Sequence, residues 1–149
     1  MILAPYVPTS LDNVRRMLEI ARVRADDVVF DLGSGDGRIL IMAVREFKAK
    51  RAVGIEFRED LVNEACTLIQ RYGLESKIEI IHGDALNINI SEADVVTLYL
   101  TSRGIEILRP KLEKELKPGT RIVSLSFKIN EWKPLKIDGF WFKIYLYQR

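Results

Sequence analysis

At 149 residues, 48% hydrophobic and 30% charged, the chain has the size and composition of one soluble globular domain, which excludes a disordered or fibrous protein. A net charge of +2 supplies no broad electrostatic footprint for nucleic acid, although a local basic face is compatible with it. The lone cysteine, Cys66, excludes an intramolecular disulfide and the usual cysteine-ligated metal clusters, and no apolar run approaches a membrane span or the core of a signal peptide, so a cytoplasmic protein without a metal is expected.

An extended start with two prolines, APYVPTS, precedes a segment with apolar residues at Leu11, Val14, Met17, Leu18 and Ala21; this spacing predicts a helix over 10–23, capped by Ser10. VVFDL then reads as a short apolar strand, GRILIMAVREF as a helix, RAVGIEF as a second strand and REDLVNEACTLIQRYG as a helix stopped at Gly73. KIEIIHGD is a third strand and ADVVTLYL a fourth. SRGIEILRPKLEKEL is a helix interrupted by Pro110, and TRIVSLSF is a fifth strand after Lys-Pro-Gly. Strands alternating with helices require right-handed crossovers, hence a parallel sheet with helices on both faces. The tail differs: its two strand-like pieces meet around Asp138-Gly139 with no helix between, and this hairpin should add antiparallel strands at one edge. One domain over 1–149 is expected.

Between the first strand and its helix lies DLGSGDGRIL, with glycines at 33, 35 and 37. A P-loop needs Lys and then Ser or Thr after its last glycine, and here Arg38 and Ile39 follow. A dinucleotide fingerprint, GxGxxG, needs its third glycine where Arg38 stands. Further clues lie at the ends of the next strands, where open parallel sheets place ligands: Glu56 can accept from both hydroxyls of a ribose, and Asp84 can accept from an adenine amine while the amides of Ala85 or Leu86 donate to a ring nitrogen. Asp31, just before the glycines, is unfavourable beside a pyrophosphate and suits an ammonium or sulfonium. Together these features describe S-adenosylmethionine, with its amino-acid tail over Gly33, Ser34 and Gly35, its ribose on Glu56 and its adenine near Asp84.

DLGSGDG, GIE and GDA, in this order, resemble the first three motifs of class I S-adenosylmethionine-dependent methyltransferases. That resemblance implies a Rossmann-like, doubly wound, mostly parallel seven-stranded sheet, with the fourth strand's end, at Thr97, Tyr99 and Thr101, facing the acceptor. PYVPTS, YLTSRG and SFKINEWKP, taken with DLGSGDGRI, resemble the small archaeal protein-lysine methyltransferases of broad specificity and their mitochondrial relatives that methylate an ATP synthase subunit and the adenine nucleotide translocase. A heat-adapted archaeal source accords with the abundance of Lys, Arg, Glu and Ile over Gln, Cys and His. The resemblance implies transfer of methyl to lysine side chains of proteins; unlike the mitochondrial relatives, the sequence shows no N-terminal membrane segment, so membrane-embedded substrates are not expected.

The acceptor can also be approached from the residues. Enzymes that methylate exocyclic base amines carry Asn or Asp, Pro, Pro and an aromatic after the fourth strand, where this chain has Leu98, Tyr99, Leu100 and Thr101. Cys66 falls in a helical pattern, expected to be buried rather than a nucleophile, and His82 is read as an ordinary strand histidine. Methyl transfer to an amine needs alignment and a neutral nitrogen. An aromatic slot of Tyr99, with Tyr6 or Trp132 as walls, would desolvate the lysine ammonium, and Thr101 and Ser102 would orient the nitrogen or a water. Residues 1–10 are expected to form a mobile lid over the methionine end. So small a domain has no separate part for reading its substrate, so broad choice among exposed lysines, its own included, is expected; a monomer without stable nucleic-acid binding is expected as well. An RNA or small-molecule methyltransferase, and a non-catalytic cofactor-binding subunit, stay open as alternatives.

Overall fold

The computed structural model describes residues 3–149. Its elements run α1 (Leu11–Ile20), β1 (Val28–Leu32), α2 (Arg38–Arg45), β2 (Arg51–Glu56), α3 (Glu59–Arg71), β3 (Ile78–His82), β4 (Val95–Leu98), α4 (Ser102–Glu115), β5 (Arg121–Leu125), β6 (Lys136–Asp138) and β7 (Ile144–Gln148). The seven strands form one sheet in the order β3-β2-β1-β4-β5-β7-β6. The first five are parallel and the last two antiparallel, as the alternation of elements and the Asp-Gly hairpin signal required.

Period-two alternation divides the core into two layers. Val29, Val95 and Val123 face Val14, Met17 and Leu18 of α1 and the apolar face of α2, while Phe30, Val96 and Ile122 face Ile105, Leu108 and Leu112 of α4. Because β1 and β4 are covered on both sides, their sequences are nearly unbroken apolar runs.

Two sequence expectations are corrected. Helix α4 runs uninterrupted through Pro110, although an interior proline costs about 3 kcal/mol. Ile105, Leu108 and Leu112 are all fully buried, each contributing roughly 1.5–3 kcal/mol, and Pro110 itself faces solvent, so tertiary burial outweighs the local penalty. The first helix ends at Ile20 rather than Val23 because Arg22 takes a left-handed conformation, φ 54°, while Val23 N–H donates to the Leu18 carbonyl. Its start is as expected: Ser10 Oγ accepts from Asn13 N–H at 3.2 Å.

Register positions the candidate site. Leu32 lies opposite both Ile55 and Leu98, so β1, β2 and β4 stop at nearly one level, and the residues that follow them converge at the carboxyl end of the sheet. Among the described residues, no helix is long and apolar enough to cross a membrane.

Candidate active site

The turn from β1 to α2 takes its shape from three glycines at positive φ, 81° at Gly33, 57° at Gly35 and 84° at Gly37. Gly33 and Ser34 donate their N–H groups to the Ile55 carbonyl at 2.8 and 3.1 Å, which ties the turn to the end of β2. There Gly54 is the only residue that fits: a Cβ on it would stand 2.5 Å from Ser34 Oγ. What approaches Gly35 belongs to the chain itself, since a Cβ there would meet the Tyr6 ring at 2.7 Å.

Above this turn lies a cleft, lined by the turn, by the ends of β1 and β2 and by the segment before α1. Of the residues singled out in the sequence, Asp31, Gly33, Ser34, Gly35, Glu56, Ala85, Tyr99 and Tyr6 line it. Gly37 caps α2 behind the turn. Asp84 stands beside the cleft between its lining neighbours Gly83 and Ala85, and its Oδ1 accepts from Leu86 N–H at 2.9 Å.

Glu56, only 7% exposed, accepts from Gly35 N–H through Oε1 at 2.8 Å and from Arg58 N–H through Oε2 at 2.9 Å. Each oxygen keeps a lone pair for a ligand hydroxyl. Asp31 is 3% exposed and accepts from Thr97 Oγ1 at 2.8 Å. Burial pushes its carboxyl up to about 7, against the lowering effect of the Thr97 hydrogen bond and with help from the nearby charges of Glu56 and Asp36. Ser34 Oγ is buried with no hydrogen-bond partner among the described residues. A cradle of left-handed glycines, an unpartnered hydroxyl and a buried carboxylate therefore suits a ligand that brings hydroxyl groups and positive charge.

The perturbed carboxyl gives a pH dependence. Its folded value lies above its unfolded value of about 3.8, so ionising Asp31 removes stability from the free protein as pH rises from about 4 through 7. A cationic ligand reverses the preference by binding the carboxylate. Its affinity should rise by up to about tenfold per pH unit below 7 and level off above, and Asp31→Asn should flatten that profile. Calorimetric titration with S-adenosylmethionine from mildly acid to mildly alkaline pH checks this; an unchanged slope in the variant removes Asp31 from the site.

Other expected site residues stand elsewhere. Thr101 caps α4: its Oγ1 accepts from Gly104 N–H at 3.1 Å and donates to the Leu3 carbonyl at 3.1 Å. Ser102 is the exposed first residue of that helix. Trp132 lies outside the cleft, edge-on to Tyr147 with ring centroids 5.8 Å apart, its Nε1 donating to Glu113 Oε1 at 3.0 Å, and thus forms no wall of the slot. Cys66 is exposed, not buried, because the inward stripe of α3 is Leu61, Ala65 and Ile69 and position 66 falls beside it. His82 Nε2 faces the Phe57 carbonyl at 3.1 Å, which makes it the donor there.

Phe57, Asp36 and Arg38 are among the lining residues that the sequence did not mark as part of the site. Phe57 follows Glu56 and is 45% exposed, so its ring is available to a flat ligand group; an aromatic directly after a strand-end acid was its only signal. Asp36 and Arg38 form an ion pair at 2.6 Å, and Arg38 Nη1 donates to the Thr9 carbonyl at 2.9 Å. Tyr6 interacts electrostatically with both members of the pair. Its own pKa is raised, by burial first and by Asp36 next.

Sheet order, left-handed glycine turn and strand-end acids define an α/β protein that takes a nucleoside cofactor across the carboxyl ends of its parallel strands. The ANTKMT methyltransferase domain model matches residues 31–136, and the chain belongs to that family of methyltransferases. A protein-lysine N-methyltransferase of Saccharolobus islandicus is 50% identical over 133 residues, covering 89% of this chain and 83% of that protein. The adenine nucleotide translocase lysine N-methyltransferase of Mus musculus is 32% identical over 135 residues, 91% of this chain but 58% of the mouse protein. Among solved structures, an RNA methyltransferase from Salinibacter ruber in complex with S-adenosyl-L-homocysteine superposes with a TM-score of 0.93 at 43% identity, covering 95% of this chain and 93% of that one.

Proposed function

We propose that this chain transfers the methyl group of S-adenosylmethionine to the side-chain amine of protein lysines, with broad choice among exposed sites. The observation that carries this reading is one cleft with a buried carboxylate at its foot, beside the glycine turn, and two tyrosines, Tyr6 and Tyr99, in its wall. When bound, the cofactor supplies an electrophilic methyl on a sulfonium. Asp31 would offset the cationic charge of the amino-acid tail, Glu56 would accept from the ribose hydroxyls, and Phe57 and Ala85 would hold the adenine while Asp84 would accept from its amine.

The carbon–nitrogen bond would form as the carbon–sulfur bond breaks, with neutral S-adenosylhomocysteine as the leaving group, so the protein need not supply a covalent group. Its task is to present a neutral nitrogen in line. Tyr99 and Tyr6 desolvate the incoming ammonium, lowering its pKa, and their faces still accept the methylated product. Thr101 acts through the segment it holds. Residues 3–9 serve as a lid that shields the reacting atoms from water; residues 1 and 2 of the expected lid lie outside the described residues. A monomer suffices for this chemistry, with its own surface lysines among the substrates.

Likeness to the Salinibacter RNA methyltransferase favours a second reading, RNA as acceptor. Against it stand the absence of the base-amine motif after β4, where Leu98 to Thr101 occur instead, and the position of Cys66 outside the cleft. Labelled S-adenosylmethionine incubated with cell extract divided into protease-treated, nuclease-treated and small-molecule fractions separates the two. Protease-sensitive label, recovered as methyl-lysine on hydrolysis, is expected. Label confined to nuclease-sensitive material gives the acceptor to RNA.

A further inference from the structure

Among the described residues, the two most exposed large apolar side chains lie apart from the cleft, in the turn between β6 and β7. Phe140, Trp141 and Phe142 are 83%, 87% and 49% exposed, and Leu135 and Ile137 beside them are 64% and 55% exposed. Five large apolar side chains left in water at one place mark an interaction surface.

Register locates this turn. Asp138 pairs with Ile144, and Ile144 pairs with Leu125 at the carboxyl end of β5, so residues 139–143 project beyond the same end of the sheet at which the cleft opens. The turn is braced: Gly139 has φ 93°, and a Cβ on it would stand 1.9 Å from the Phe142 carbonyl oxygen. Asp138 accepts from Gly139 N–H at 2.6 Å and pairs with Arg16 of α1, while Ser126 N–H donates to the Lys143 carbonyl at 2.7 Å. Phe140 and Trp141 are held edge to face, their centroids 5.2 Å apart, rather than stacked as a platform for bases.

Charge around the turn is one-sided. Lys128, Lys133, Lys136 and Lys143 are exposed and form no ion pair among the described residues. The two acids of the same stretch are already occupied, Glu131 by Arg109 at 3.1 Å and Asp138 by Arg16. An apolar centre with a cationic rim fits a partner that is apolar and acidic.

We propose that the aromatic turn at 139–143 and its lysines form a docking site for an acidic, apolar segment of the protein substrate, which holds the substrate while its lysine enters the cleft. This rests on the protein-lysine reading above. It makes substrate choice depend on sequence features away from the methylated lysine.

The test uses a fluorophore-labelled peptide of Leu, Phe and Glu with one central lysine, followed by anisotropy. Wild type should bind it, more weakly as salt rises. Phe140→Ser/Trp141→Ser, which touches only exposed side chains, should weaken binding by about tenfold or more, and Lys136→Glu/Lys143→Glu should do the same and abolish the salt dependence. Both variants should keep wild-type affinity for S-adenosylmethionine and wild-type transfer to a minimal lysine peptide without acidic or apolar flanks. Equal peptide affinity in all three proteins overturns the docking site, as does a loss of binding only to anionic phospholipid vesicles or to single-stranded RNA. Because binding is read without transfer, the two readings fail separately. Binding of the labelled acidic peptide with no methyl-lysine formed on it sinks the lysine reading, and equal methylation of that acidic peptide by wild type and both turn variants sinks the docking site.

Discussion

Glu56→Gln is expected to weaken binding of S-adenosylmethionine by about a hundredfold and to lower the melting temperature as well. The carboxylate is the joint between the glycine turn and β2, with Gly35 N–H on one oxygen and Arg58 N–H on the other. Glutamine can accept only one of these. Its amide nitrogen must face the second donor, and a buried unsatisfied pair of that kind costs about 1–3 kcal/mol. The same substitution removes charge-assisted acceptors from the ribose hydroxyls, each contributing about 1.5–3 kcal/mol. Calorimetry for affinity and thermal unfolding for stability separate the two losses. A protein that melts lower yet binds within about threefold of wild type would leave Glu56 as a brace for the turn and no more.

Removal of residues 1–9 should reduce transfer by at least about a hundredfold while the domain stays folded. The fold survives because α1 starts at Leu11 under its own cap, Ser10. Transfer fails because the segment is held over the site at three points: Tyr6 on Gly35, the Thr9 carbonyl on Arg38, and the Leu3 carbonyl on Thr101. Gly104→Ala tests the same contact without a deletion. A Cβ at 104 would stand 2.2 Å from the Leu3 carbonyl oxygen, so the segment must lift, whereas the helix gains about 1 kcal/mol in propensity. Stability and activity should therefore move in opposite directions. Full transfer by the truncated protein, or by Gly104→Ala, would show that residues 3–9 cover the cleft without serving the reaction.

Much of this site was legible before any coordinate. Alternation of apolar strands with amphipathic helices forces a parallel sheet, and in such a sheet the residue after each strand arrives at one common edge. Gly33, Gly35, Glu56 and Ala85 could therefore be placed together although they span more than fifty positions of the chain. Asp138-Gly139 announced the hairpin because only a left-handed position there closes the turn. In each case a short-range pattern, with a period of two or of 3.6 or a single demanded φ, carries the information.

What the tertiary structure alone decided has the opposite character. Whether Pro110 breaks its helix depended on three leucine and isoleucine side chains meeting the sheet, not on the proline. Trp132 and Tyr6 are both aromatic residues two positions before a proline, yet one packs on Tyr147 and the other crosses the glycine turn. The Arg38 to Thr9, Asp31 to Thr97 and Thr101 to Leu3 contacts join residues 29, 66 and 98 positions apart. No local propensity encodes such pairs. Local periodicity determined the scaffold and the edge at which chemistry takes place, because it acts through steric and hydrophobic rules that repeat along the chain. Which side chain closes the cleft, caps a helix or stays in water was settled by packing between distant segments.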